Sequence, residues 1–221
     1  SLYWQLNDSW PAVSWSGIDY FGNWKALHYQ ARRAFAPMIV NPVQEGDSLN
    51  VYLISDRLED SDDMVLEMRL MDFNGRAISG KSVKVRVPAN SSVKAYGSDI
   101  DGMVDCGRRR NCHLVCSLKD RYGKEMAQTV YYFLPTKDLD LPETEIHTSV
   151  KTFEGRCEVT LTSAKLAKDV FVQIPIQGAL FSDNFFDLLP GETRKVVITS
   201  PEIKRGSNPA IKIKHIRDTY I

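Results

Sequence analysis

The sequence predicts a mainly β chain in which two sandwich domains follow a short strand, loop and helix. Three observations lead there. Beyond residue 37, apolar and polar residues alternate in runs of strand length separated by turn residues. A polar, proline-bearing stretch at 134–142 divides these runs into two sets. Helical spacing of apolar residues is confined to the segment before residue 37.

The first element is an apolar run, Leu2-Tyr3-Trp4-Gln5-Leu6, that suits a buried strand. The polar cluster Asn7-Asp8-Ser9 then suits a loop at its C-terminal end. A longer loop follows, and Trp24, Leu27, Ala31, Ala34 and Phe35 fall at helical spacing. Asn23 is the expected N-cap, Arg32 and Arg33 complement the helix dipole near the C-terminal end, and Pro37 stops the helix.

After a boundary at 37–38, strand-length runs occur at 51–54, 65–71, 81–87, 112–118 and 127–133, with Asn74-Gly75 as a hairpin signal. Spacing of this kind fits one sandwich of about a hundred residues, assigned to 38–136. The runs at 146–150, 156–162, 170–174, 193–198 and 210–215 define a second, smaller one, assigned to 143–221. A faint echo between 85–94 and 188–197, each with a proline turn between strand-like runs, suits two modules of one type.

Specific motifs sharpen this reading. Trp4-Gln5-Leu6-Asn7-Asp8-Ser9-Trp10-Pro11, followed by Ser16-Gly17-Ile18-Asp19-Tyr20-Phe21-Gly22-Asn23-Trp24-Lys25-Ala26-Leu27-His28-Tyr29, resembles the barrel end of the β-mannosidases of glycoside hydrolase family 2. Far downstream, Phe181-Ser182-Asp183-Asn184-Phe185-Phe186-Asp187-Leu188-Leu189-Pro190-Gly191-Glu192 resembles the C-terminal β-sandwich of the same enzymes. The resemblance implies two Ig-like β-sandwich domains preceded by a single βα remnant of a (β/α)8 barrel, with residues 1–37 as its last strand and helix. It also implies that a jelly roll, another sandwich and most of the barrel belong upstream, so the chain is expected to start inside a domain.

Loops at the C-terminal ends of barrel strands carry the active sites of (β/α)8 enzymes. The resemblance accordingly implies Trp4 at the floor of a sugar subsite, with Asn7, Asp8 and Trp10 bonding or walling the same pocket. The alternatives are a barrel-core aromatic for Trp4 and loop packing for the other three. Retaining glycosidases need two carboxyl groups about 5–5.5 Å apart. The family takes both glutamates from upstream strands, and residues 1–36 contain no glutamate. Asp8 and Asp19 are the only carboxylates there, and Asp19 reads as a turn or capping residue. No catalytic residue is therefore expected in the chain, and by itself it is expected to be inactive.

Lysine plus arginine and aspartate plus glutamate each total 28, so the chain is formally neutral. No bulk attraction to nucleic acid or an anionic membrane follows, and no apolar run approaches membrane-spanning length. Cys106, Cys112, His113 and Cys116 lie close together but lack a paired Cys-x2-Cys knuckle. Cys112, Leu114 and Cys116 alternate as core residues would, a Cys106–Cys112 disulfide remains open, and no metal or cofactor is expected. Arg108-Arg109-Arg110 reads as a solvated loop tip. The segment Ser182-Asp183-Asn184 with its aromatics either closes one end of the terminal sandwich or reaches back toward the barrel mouth.

The expected role is that of the C-terminal accessory region of a retaining β-mannosidase that removes terminal non-reducing β-D-mannosyl residues. Its expected partners are a β-mannoside or manno-oligosaccharide, through the intact parent, and the rest of the catalytic barrel. A periplasmic, extracellular or lysosomal setting suits the parent. A free-standing carbohydrate-binding module and an Ig-like structural or adhesion protein are the alternatives from other classes. Without barrel neighbours, each large side chain left in water forgoes roughly 1.5–3 kcal/mol of burial, so residues 1–36 are expected to dock on the first sandwich or to drive self-association.

Overall fold

Residues 2–220 are described by a computed structural model, and they divide into two units. One comprises residues 35–141; the other joins residues 2–34 to 142–220. The helix near the N-terminus, α1 (Ala26–Ala34), belongs to the second of these.

In the unit 35–141, alternating apolar residues become the strands β1 (Met38–Glu45), β2 (Ser48–Ser55), β3 (Ser61–Asp72), β4 (Ala77–Val87), β5 (Ser91–Asp99), β6 (Cys112–Lys119) and β7 (Glu125–Tyr132). They pair antiparallel in two sheets, ordered β1-β2-β5 and β4-β3-β6-β7. Leu49, Val51 and Leu53 of β2 pack with Leu66, Met68 and Leu70 of β3 and Leu114 and Leu118 of β6 in a common core. Sequence reading misses β1 and β5 for a physical reason. β1 carries Pro42, which lacks a ladder donor and is tolerated because β1 is an edge strand. β5 is rich in serine and contains Gly97, so it shows little apolar alternation.

The cysteines expected in the core are there. Cys112 and Cys116 are fully buried in the cluster of the first sandwich, Cys106 is exposed, and all four cysteines are free thiols. The arginine loop is not simply solvated. Arg108, Arg109 and Arg110 pair with Asp105, Asp101 and Asp140 respectively.

The hairpin at Asn74-Gly75 forms as expected, and its design recurs. Asp72 Oδ1 accepts hydrogen bonds from the Asn74 and Arg76 amides, both at 2.9 Å, while Gly75 sits at φ +89°, where a Cβ would be strained. Asp120 braces the β6–β7 turn through the Tyr122 and Lys124 amides in the same way, and Asp19 does so through Phe21 and Asn23. The reading of Asp19 as a turn residue is thus correct. The reading of Asn23 as N-cap is not, because Asn23 is spent on the Asp19 loop and the helix begins at Ala26.

In the other unit, β8 (Ile146–Phe153), β9 (Arg156–Ser163), β10 (Ala167–Gln173), β11 (Leu180–Phe181), β12 (Phe186–Leu188), β13 (Thr193–Thr199) and β14 (Lys212–Lys214) build sheets ordered β11-β13-β9-β8 and β12-β10-β14. Val159 and Leu161 of β9, Val170 and Val172 of β10, Phe186 and Leu188 of β12, and Val196 and Ile198 of β13 fill the space between them.

The mainly β architecture with two Ig-like sandwiches is therefore present. The strand predicted at 2–6 is not formed. Only an isolated parallel bridge, Asn7 with Ile18, and an antiparallel one, Ile18 with Trp24, order this stretch. A strand needs a run of ladder hydrogen bonds along a neighbour, and here a single loop segment supplies only isolated bridges. The contacts of α1 likewise depart from the expected docking on the first sandwich, since they are made with the terminal one.

Candidate functional site

Residues 2–25 fold around one buried carboxylate. The chain runs out through Leu6 and Asp8 and returns through Gly17 and Ile18, with Ile18 N–H donating to Leu6 at 2.9 Å and Asp8 N–H donating to Ile18 at 3.0 Å. Gly17 lies so close to the Tyr3 hydroxyl that a Cβ there would sit 3.1 Å from it. Asp8, only 7% exposed, points inward from this crossing.

The Asp8 carboxylate is fully engaged. Lys25 donates to Oδ2 at 2.8 Å and Ser14 donates to Oδ1. Lys25 also donates to Ser16 Oγ at 2.7 Å, and Ser16 Oγ passes a hydrogen bond to the Ile18 carbonyl at 2.9 Å. The Lys25 hydrogen bond, followed by that of Ser14, holds the Asp8 carboxyl below the usual carboxylate range. Asp8 is thus an ionised anchor inside the loop.

The aromatic residues around it face outward. Within this chain Trp4 is 74% exposed and Trp10 68% exposed. Asn7 is also exposed, and its side-chain amide donates to the Asp8 carbonyl at 3.2 Å. Of the four residues singled out from the sequence, Trp4, Asn7 and Trp10 are exposed and Asp8 is buried. Sequence reasoning misses Lys25, Ser14 and Ser16, because a half-buried lysine pairing across 17 residues leaves no periodic trace.

Trp24 packs against His28 and Tyr29, with ring centroids 4.4 and 5.6 Å apart. Tyr29, rather than Leu27, is the buried side chain of α1, and burial pushes its phenol up to about 12. Tyr29 meets Phe185 at 5.9 Å, and Phe185 stacks on Phe171 at 4.5 Å. Three polar side chains of α1 grip the same loop. Gln30 and Arg33 donate to the Phe185 carbonyl, Arg32 to that of Ser182 at 2.7 Å, and Arg33 also to Asn184 O at 2.7 Å and Asp183 Oδ1 at 2.6 Å. Ser182–Phe186 therefore packs on α1.

The first sandwich offers a different surface. An open groove of about 810 Å3 crosses β3, β4 and β6, lined by Asp63, Glu67, Lys84, Arg86, Lys119 and Arg121 among others and by no aromatic side chain. Sugar binding on sandwich faces relies on aromatic stacking, which this groove lacks. Among the described residues, no group of three or more His, Cys, Asp or Glu side chains is placed to hold a metal ion.

Comparison with known proteins agrees with this division of the chain. Residues 47–138 match the family described as a Mannosidase Ig/CBM-like domain, and residues 141–219 match a family described as an Ig-fold domain. β-Mannosidase A of Aspergillus terreus is 32% identical over 94% of this chain and 24% of its own length. The β-mannosidase of Capra hircus is 29% identical over 100% of this chain and 26% of its own. The crystal structure of β-D-mannosidase from Dictyoglomus thermophilum superposes with a TM-score of 0.81 at 29% identity, over 96% of this chain and 26% of that one. The chain spans about a quarter of the length of the curated relatives it matches. With both sandwiches matched and the likeness continuing through the Asp8 loop, the chain belongs to the β-mannosidases of glycoside hydrolase family 2, as the C-terminal accessory part that carries their Ig-like domains.

Proposed function

We propose that this chain supplies one wall of a β-mannosidase sugar site, together with the terminal Ig-like domain that holds that wall in place and a further Ig-like domain. The carrying observation is the Asp8–Lys25 core in the same loop as an exposed Trp4 and Trp10. An aromatic face stacks on the apolar face of a pyranose, and it does so best when the backbone beneath it is already ordered. In this reading Trp4 floors the sugar subsite, Asn7 and Trp10 line it, and Asp8 orders the loop.

The reaction is hydrolysis of terminal non-reducing β-D-mannosyl residues with retention, on a β-mannoside or manno-oligosaccharide. Its two catalytic glutamates belong to barrel strands outside this chain, since the barrel-end segment contains no glutamate. Asp8 does not serve as nucleophile here. Its carboxylate is committed to Lys25 and Ser14 inside the loop.

The test is hydrolysis of an aryl β-mannoside by the purified chain alone and by the chain combined with a β-mannosidase segment carrying the rest of the barrel. The expected result is activity only in the combination, with KM rising at least tenfold for Trp4→Ala. Turnover by the chain alone would overturn the assignment of catalysis to residues outside it.

A further inference from the structure

Helix α1 is too short to stand alone, and it is held from both ends. Isolated helices of fewer than about 12–15 residues are marginal in water, whereas α1 has 9. Its stability must come from what it touches. Near its C-terminal end, Arg33 reaches Asp183, Asn184 and Phe185 of the terminal sandwich. Just before its N-terminal end, Lys25 holds Asp8, and the Lys25 carbonyl accepts from the His28 amide at 3.0 Å as the helix starts.

Asp183 is built for the first of these contacts. One oxygen accepts from Arg33 at 2.6 Å and from the Asn184 amide at 2.9 Å, and the other accepts from Arg194 of β13 at 2.8 Å. Arg194 is itself fixed over the Phe186 ring, 4.4 Å from its centroid. The carboxylate is therefore tied to the sandwich on one side and to the helix on the other. Arg33 lies eight residues from Lys25, about 12 Å along a helix axis. If the Arg33 end is released, α1 keeps its Gln30, Arg32 and Tyr29 contacts but loses its charged anchor, and the fixed position of the Lys25 ammonium is loosened.

We propose that Asp183 is a positioning residue for the sugar-side loop: by anchoring Arg33 it keeps α1 folded, and α1 in turn holds Lys25 on Asp8. The terminal Ig-like domain thereby acts as a brace for residues 4–10. The functional meaning rests on the sugar-site reading above, whereas the mechanical coupling can be measured without it.

The experiment is a carboxyl NMR titration of Asp8 in the intact chain, together with amide hydrogen exchange, for the wild type, Asp183→Ala, Asp183→Glu and Arg33→Ala. In Asp183→Ala and Arg33→Ala the Asp8 midpoint should rise toward the ordinary aspartate value, and the Ile18 and Lys25 amides should exchange at least tenfold faster. Asp183→Glu should restore most of both. Arg33→Ala leaves the Asp183–Arg194 pair intact, so it decides the matter if Asp183→Ala fails to fold. An unchanged Asp8 midpoint in Arg33→Ala would overturn the proposal. Failure of Trp4→Ala to raise KM in the combined enzyme would instead sink the sugar-site reading and leave the coupling standing.

Discussion

The Asn184 side chain pairs with Val172 as a neighbouring strand would. Its Oδ1 accepts from the Val172 amide at 2.8 Å and its Nδ2 donates to the Val172 carbonyl at 2.9 Å, with the asparagine only 2% exposed. One side-chain amide thus completes the hydrogen bonding of a buried stretch of β10. It also fixes the loop that α1 grips. Phe185, next in the chain, sits at φ +50°, an unfavourable conformation for a bulky residue that the ring stack and the α1 hydrogen bonds hold in place.

Asn184→Ala leaves a buried donor and a buried acceptor of Val172 unpaired. Each costs about 1–3 kcal/mol. The expected loss is therefore about 2–6 kcal/mol in the terminal sandwich, read by urea denaturation. A loss under about 1 kcal/mol would mean that water takes over both bonds.

Asp8 confers acid sensitivity on its loop. Its folded pKa is lowered by Lys25 and Ser14, so its contribution is complete above the ordinary aspartate pKa and is lost as pH falls through the folded value. The protection of the Ile18 amide, its exchange corrected for the intrinsic pH dependence, should thus fall below about pH 4 in the wild type. In Asp8→Asn that protection should already be low at neutral pH and should not change across that range.

His113 acts in the first sandwich over a different range. It is fully buried beside Phe73 and Tyr132, and neither ring nitrogen has a hydrogen-bond partner. Burial drives its pKa down to about 4, with Asp72 opposing and Arg69 adding to the shift. Between the ordinary value near 6.5 and about 4, the unfolded chain takes up a proton that the folded one refuses. Stability should then fall by up to about 1.4 kcal/mol per pH unit on acidification through this window. His113→Leu should flatten that slope in thermal melts recorded from pH 7 to pH 4. A slope unchanged in this variant would assign the acid response to other groups.

Cysteine reactivity should single out Cys106. Burial raises the Cys112 thiol to about 11 and the Cys116 thiol to about 12, and Cys157 is raised for the same reason. Thiolates are the reactive form, so buried thiols of this kind stay inert. Iodoacetamide treatment of the native chain, followed by peptide mass mapping, should label Cys106 first. Early labelling of Cys112 would indicate that β6 opens readily.

What the sequence determined by itself was local. Leu49, Val51 and Leu53, or Val159 and Leu161, announce strands because every second side chain must leave water, and Asn74-Gly75 announces a turn because glycine alone enters φ near +89° without strain. The motif from Trp4 to Pro11 was equally legible as a resemblance, and so was that from Phe181 to Glu192. The tertiary structure decided what those motifs do. Asp8 is buried and Trp4 exposed because the returning chain at Ile18 and the ammonium of Lys25 close over one and not the other. Arg33 and Asp183 lie 150 positions apart, and the hydrogen bonds beside theirs end on main-chain carbonyls, which carry no side-chain identity to read. Periodicity records which face of an element avoids water; it holds no record of which distant loop will satisfy the charges on the other face.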